Sequence, residues 1–103
     1  MWAQLIKMRL KPGSDADLPA LFEQFAAVEQ TGSGLIRTTL MHAQKDASEF
    51  YVMVVFDSEE HARAREQDPA RQEALKSAQA MMVEIFEGPP EFLDLTVVAD
   101  MVP

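Results

Sequence analysis

The sequence of 103 residues contains no cysteine, one tryptophan, one tyrosine and only nine lysines and arginines. The lack of cysteine excludes disulfides, thiolate nucleophiles and cysteine-ligated metal sites. Against 17 acidic residues, the few cations leave a net charge of −8. Nucleic acids and anionic membranes both require positive patches on their partners, so we expect neither as a binding partner.

Other signals are also missing from the chain. No apolar run has the length of a membrane span, and the N-terminus lacks the basic and then apolar arrangement of a signal peptide. There is no glycine-rich phosphate loop and no set of histidines and carboxylates with metal-ligand spacing. We therefore expect a cytoplasmic protein with no metal or other cofactor. The length predicts a single domain over residues 1–103.

The most informative stretch is the apolar segment from Phe50 to Phe56, which predicts a central strand. Side chains alternate along a strand, so Phe50, Val52, Val54 and Phe56 point to one face and Tyr51, Met53 and Val55 to the other. Because both sets are apolar, both faces of the strand must be covered. Ser58 follows at a position that predicts a helix cap, with two glutamates in the first turn.

The rest of the chain supplies the other elements of one fold. Alternation predicts a first strand at Trp2–Leu10, and the apolar spacing predicts a helix from near Asp17 to Gly32. The next predicted elements are a strand Leu35–His42 and a short helix after Ser58. A longer helix begins at Asp68-Pro69, includes Phe86 and ends at Gly88-Pro89-Pro90. The last predicted strand is Phe92–Ala99. The order βαββαβ predicts an α+β, ferredoxin-like fold, a four-stranded antiparallel sheet with its helices on one face.

The face of the sheet away from the helices needs a partner. Tyr51, Met53 and Val55 would otherwise lie in an apolar patch larger than monomers usually expose. We expect this face to pack against a second copy of the chain, which makes a homodimer, with these three residues in the interface. For Tyr51 the alternative is a phenol that hydrogen-bonds an oxygen of a bound ligand.

Several short motifs occur in the same order as these elements. They are Lys11-Pro12-Gly13 after strand 1, Gly34-Leu35-Ile36-Arg37 at the start of strand 2, and V-V-F-D-S-E-E-H-A from Val54 to Ala62. With them the chain resembles the antibiotic biosynthesis monooxygenase family of dimeric α+β barrels over nearly its whole length. The resemblance implies a cofactor-independent monooxygenase that acts on a small aromatic or quinol substrate between sheet and helices. It equally admits a non-catalytic dimeric protein that binds small molecules or has an accessory role.

The same resemblance disfavours haem degradation. The haem-degrading branch of the family uses an asparagine in strand 1, a tryptophan at the end of strand 3 and a histidine on the following helix. This chain has Ile6 and Phe56 at the first two positions, and His61 lies too early in the helix for the third.

The candidate site residues are apolar side chains and two histidines. A slot for a planar ligand is predicted from Trp2, Phe22, Phe25, Phe56, Met82 and Phe86, although the same periodicity is typical of any core. His42 and His61 are the candidate catalytic bases. The alternatives are a strand-end histidine beside the hairpin turn for His42 and a solvated surface residue for His61.

Overall fold

The computed structural model describes residues 1–29 and 31–103 of the chain. Its strands are β1 (Trp2–Leu10), β2 (Leu35–His42), β3 (Glu49–Phe56) and β4 (Phe86–Thr96). Its helices are α1 (Leu18–Ala27), which follows a 3-10 turn at Asp15–Asp17, α2 (Glu59–Glu66), α3 (Pro69–Ala74) and α4 (Lys76–Ile85). None of the helices in these ranges is long and apolar enough to cross a membrane.

The four strands form one sheet in the order β2-β3-β1-β4, with every neighbouring pair antiparallel. The predicted ferredoxin-like α+β fold is therefore confirmed. Trp2 lies opposite Phe56, and Ile6 lies opposite Val52. Because side chains alternate, these residues and the buried side of β3 share the face that the helices cover.

Two helices begin at the residues that the sequence indicates. The Ser58 hydroxyl accepts a hydrogen bond from the His61 amide at 3.2 Å, which caps α2. The Asp68 carboxylate accepts one from the Ala70 amide at 3.0 Å, and Pro69 occupies the first position of α3. Both caps satisfy amides that have no partner inside the helix.

Several predicted boundaries are wrong. The last strand covers Phe86–Thr96 rather than Phe92–Ala99, and two helices end earlier than predicted. The first helix ends at Ala27 rather than at Gly32, and Gln30, which that prediction included, lies outside the described residues. The last helix ends at Ile85, and Phe86 already pairs with Leu10 in β4. Gly88-Pro89-Pro90 therefore lies within the strand instead of ending a helix. Proline is tolerated there because β4 is an edge strand and its pairing shifts register between Lys7 and Arg9.

The predicted long helix is also divided into α3 and α4, which meet at Leu75. Leu75 is buried, and it packs with Leu21 and Ile85 in one core cluster near one end of the sheet. A second cluster combines Trp2 and Phe56 with other buried residues of β3 and α2. The hydrophobic core thus consists of two clusters instead of one continuous layer.

Gly34 lies where the loop before β2 packs closely against Asp57 and His61. It has a φ of 87°, and an added Cβ would lie 2.5 Å from Asp57 Oδ1 and 2.7 Å from His61 Cβ. Gly32 has a similar φ of 83°, but its Cβ would meet nothing within 4 Å. We expect Gly32→Ala to lower the free energy of unfolding by about 1 kcal/mol through backbone strain alone. Gly34→Ala adds overpacking and should cost about 3 kcal/mol.

Urea unfolding of the two variants measures this difference. Equal losses would contradict the prediction, because they would mean that Asp57 and His61 give way without cost.

Candidate functional site

A cavity of about 1150 Å³ separates the helices from part of the sheet. Strand residues on its wall include Gln4, Ile6 and Val54, and helix residues include Leu21 and Gln79. All six apolar residues of the predicted slot line it: Trp2, Phe22, Phe25, Phe56, Met82 and Phe86. The structure thus places around one space side chains that are far apart in sequence. Such a volume suits a drug-sized planar molecule.

One part of the cavity wall is charged. The Arg65 guanidinium donates hydrogen bonds to both carboxylate oxygens of Glu29, and Arg71 Nη2 lies 3.8 Å from Glu29 Oε1. These three residues also line a smaller pocket of about 230 Å³, together with His61 and Asp68. They therefore stand between the two spaces.

Two arginines of α2 lie over aromatic rings of the cavity. The Arg65 guanidinium carbon is 5.2 Å from the centre of the Phe56 ring, and that of Arg63 is 5.0 Å from the centre of the Trp2 ring. Cations at this distance are attracted to the negative face of an aromatic ring. Arg63 Nη2 also donates to Asp94 Oδ2 at 2.7 Å, and this bond lowers the pKa of the Asp94 carboxyl. These contacts hold α2 against the neighbouring rings of Trp2 and Phe56, whose centres are 6.2 Å apart.

His61 is paired with an acid. Its Nδ1 lies 2.7 Å from Asp57 Oδ1, and this hydrogen bond lowers the pKa of the Asp57 carboxyl. When Asp57 accepts from Nδ1–H, the neutral imidazole keeps Nε2 free to accept a proton. Asp57 is thus the acidic partner of His61. The His61 side chain is half exposed and lines the smaller pocket.

His42 lies elsewhere. This exposed residue is at the end of β2, and its Nδ1 lies 3.0 Å from the carbonyl oxygen of Ala43. Its ring packs edge-on against the Phe50 ring, with 5.8 Å between the two ring centres. Neither histidine is among the described residues that line the large cavity. The two candidate bases are therefore in different surroundings, and of the two it is His61 that is paired with a carboxylate in the described part of the chain.

The residues predicted for a dimer interface lie on the opposite side of the sheet. Tyr51, Met53 and Val55 are half-buried on the face of β3 that the helices do not cover. The Tyr51 hydroxyl donates to Glu49, which lowers the pKa of the Glu49 carboxyl and raises that of the phenol. Tyr51 is not on the described wall of the cavity, so its phenol faces away from any ligand there.

The cavity does not have the residues that the haem-degrading branch uses. Ile6 and Phe56 occupy the strand positions on its wall, and no histidine is found among the described lining residues. The described part of the chain also brings together no three histidines or carboxylates as metal ligands. The described wall therefore offers no histidine as a ligand for haem iron.

The charged wall was not foreseen from the sequence. Glu29, Arg65 and Arg71 belong to polar stretches that resemble ordinary solvated helix surfaces. A weak signal was present, since Arg65 follows the buried Ala62 by three residues and so shares its helix face. Nothing in the pattern indicated that Glu29, 36 residues earlier, would meet it.

Solved structures of similar fold cover almost all of the chain. A variant of SnoaB, a cofactor-independent oxygenase from Streptomyces nogalater, matches with a TM-score of 0.75 at 15% identity, over 97% of this chain and 95% of that one. A protein of unknown function from Nitrosomonas europaea matches with a TM-score of 0.73 at 20% identity, over 99% and 93%. A variant of MhuD with two manganese protoporphyrin IX molecules per active site matches with a TM-score of 0.74 at 18% identity, over 100% of both chains.

At these identities the likeness shows the fold, and no functionally curated protein matches the chain significantly in sequence. The comparison with protein families shows more than the fold. Residues 1–77 match the family described as antibiotic biosynthesis monooxygenase. This range is 77 of 103 residues and includes β1 to β3, α1 to α3 and the start of α4. The protein therefore belongs to the antibiotic biosynthesis monooxygenase family.

Proposed function

We propose that the protein is a cofactor-independent monooxygenase that binds a small aromatic or quinol substrate in the large cavity. The observation that carries the proposal is the aromatic wall, where Trp2, Phe22, Phe25 and Phe56 surround a space open enough for a planar ring system. Family membership supports the reaction class. An apolar wall favours an unsolvated aromatic ring and keeps water away from reactive intermediates.

The reaction balances without an added reductant. A quinol and O₂ give a hydroxyquinone and water: one oxygen atom forms a new bond to ring carbon, the other leaves as water, and the quinol supplies all four electrons. The protein has to hold the ring, exclude water and remove a proton from a hydroxyl group. Loss of that proton makes the ring electron-rich enough to reduce oxygen.

His61 is the better of the two bases for that proton. Asp57 orients its imidazole as in other acid–base pairs, and His61 borders the smaller pocket that shares Glu29, Arg65 and Arg71 with the cavity. The His42 ring instead contacts the Ala43 carbonyl oxygen and the Phe50 ring, and no ion pair to a carboxylate is found for it among the described residues. The assignment of the base to His61 follows from this difference in surroundings.

The cavity is tested with 1,4-naphthalenediol as substrate and 2-hydroxy-1,4-naphthoquinone as product. Chromatography separates this product from the simple quinone of uncatalysed oxidation. Met82→Trp should place an indole ring in the space where the substrate binds and lower product formation by at least about tenfold. Val83→Trp is the matched control, because Val83 is the next residue of α4 and is 76% exposed.

No hydroxyquinone above the blank, with calorimetry still showing that the diol binds, would contradict the enzyme and favour the non-catalytic binding protein. Equal loss in both variants would show that the cavity is not where the substrate lies.

The base is tested with two histidine variants in the same assay. His61→Gln should lower kcat by about a hundredfold, the usual contribution of a general base. His42→Gln should leave kcat within a factor of two of the unsubstituted protein. The reverse ranking would assign the base to His42 instead.

We further propose that the chain functions as a homodimer through the uncovered face of the sheet. Leu5 lies opposite Met53 on one side and Leu93 on the other, and Ala3 lies opposite Val55, so apolar side chains run across β3, β1 and β4. Leu93 is 55% exposed in the single chain. Covering such a face with the same face of a second copy satisfies two-fold symmetry and removes the apolar patch from water.

The dimer is tested by placing a charge in the middle of this face. Met53→Glu would bury two carboxylates without partners in a symmetric interface, so we expect sedimentation velocity to show monomers. Val83→Glu, on the exposed side of α4, should leave the mass of the particle unchanged. A monomeric unsubstituted protein, or a dimeric Met53→Glu variant, would contradict this interface.

A further inference from the structure

The large cavity has a surplus of positive charge inside an acidic protein. The whole chain carries a net charge of −8, yet the described ionisable residues of the cavity wall are three cations, Arg65, Arg71 and Lys76, and two acids, Glu29 and Glu66. A local surplus that opposes the overall charge has to come from the placement of particular side chains. The positive charge on the cavity wall is therefore evidence about the charge of the ligand that binds there.

Two of these five groups are exposed to solvent and have ion-pair partners outside the wall. Lys76 Nζ lies 2.7 Å from Glu73 Oε2, and its side chain is 71% exposed. Glu66 accepts from Arg63 Nη1 at 3.2 and 3.3 Å. The remaining groups are Glu29, Arg65 and Arg71, which amount to one carboxylate against two guanidiniums.

These three groups are well shielded from solvent, so their imbalance is not erased by water. The side chains of Arg65 and Arg71 are 13% and 14% exposed, and that of Glu29 is 27% exposed. Arg65 takes both oxygens of the carboxylate, while Arg71 Nη2 remains 3.8 Å from one of them. Glu29 thus neutralises one arginine and leaves the other with a long, single contact.

Arg71 shows the signs of an incompletely paired cation. Its Nε is buried and has no hydrogen-bond partner among residues 1–29 and 31–103. Burial and the neighbouring Arg65 lower the pKa of its guanidinium, in spite of Glu29 and Asp68. The Asp68 carboxylate is already engaged as the cap of α3, where it accepts from the Ala70 amide. An additional anion beside the Arg71 guanidinium would relieve its repulsion from Arg65.

We infer that the ligand of the large cavity is an aromatic anion whose carboxylate binds at Arg65 and Arg71. The aromatic part of such a molecule fits the wall of Phe22, Phe25 and Phe56, and the Arg65 guanidinium already lies over the Phe56 ring, where the apolar and charged parts of the wall meet. A planar carboxylate matches the fork of N–H donors on a guanidinium. This inference rests on the proposed function and narrows its substrate class to acidic aromatics.

The test compares 2-naphthoate with 2-naphthamide, which have the same ring system and nearly the same shape but differ in charge at pH 7. Isothermal titration calorimetry on the unsubstituted protein should give a dissociation constant about tenfold lower for the carboxylate. Arg71→Gln should reduce this ratio to near one. Lys45→Gln, which makes the same change in net charge in the turn between β2 and β3, should preserve it.

The outcomes distinguish failure of the carboxylate site from failure of the proposed function. If both compounds bind equally, the carboxylate site is wrong while the aromatic cavity stands. If neither binds, the cavity does not accept planar aromatics, and the proposed function fails together with the inference. If Lys45→Gln lowers the ratio as much as Arg71→Gln, long-range charge accounts for the preference and the two-arginine site is wrong. The comparison in the unsubstituted protein needs no variant, so a folding defect in Arg71→Gln leaves the test decisive.

Discussion

The alternation of side chains along β3 is the constraint on which the rest of the structure depends. Its residues are alternately buried under the helices and half-buried on the other face, so both faces of the central strand are apolar. One face is covered within the chain by α1, α2 and α4. The other is the face through which we propose that a second copy binds. Folding and the proposed assembly are thus linked through a single strand.

The helices cover the sheet without filling the space above it. Protein interiors are normally packed to the density of organic crystals, and large voids are rare in them. Here the core is divided into a cluster around Leu21 and Ile85 and a cluster around Trp2 and Phe56. The cavity lies along both, and residues of each cluster contribute to its wall. Its apolar lining loses packing contacts that a ligand of aromatic character would restore.

The charged groups lie on one part of the cavity wall, so the two parts of the wall suit different parts of a ligand. Overall charge acts at long range and is screened within about 10 Å at ordinary ionic strength, whereas shielded groups in contact with a ligand are screened much less. An acidic surface is therefore compatible with a cavity that attracts anions. The arrangement of Arg65 and Arg71 around Glu29 also depends on where α1, α2 and α3 meet, so the site is a product of the fold and not of one motif.

The sequence by itself determined the order of the strands and helices, the antiparallel sheet, the capped starts of α2 and α3 and the apolar residues that face the helices. These depend on local rules: alternation in strands, spacing in helices and the chemistry of caps. The end of the last helix was wrong because pairing of Phe86 with Leu10, a contact far away in sequence, outweighs the local preference. Periodicity likewise could not distinguish a filled core from a lined cavity, since both need the same apolar residues. Only the tertiary structure decided that the helices stand off the sheet, that His61 is paired with Asp57, and that two arginines share one carboxylate.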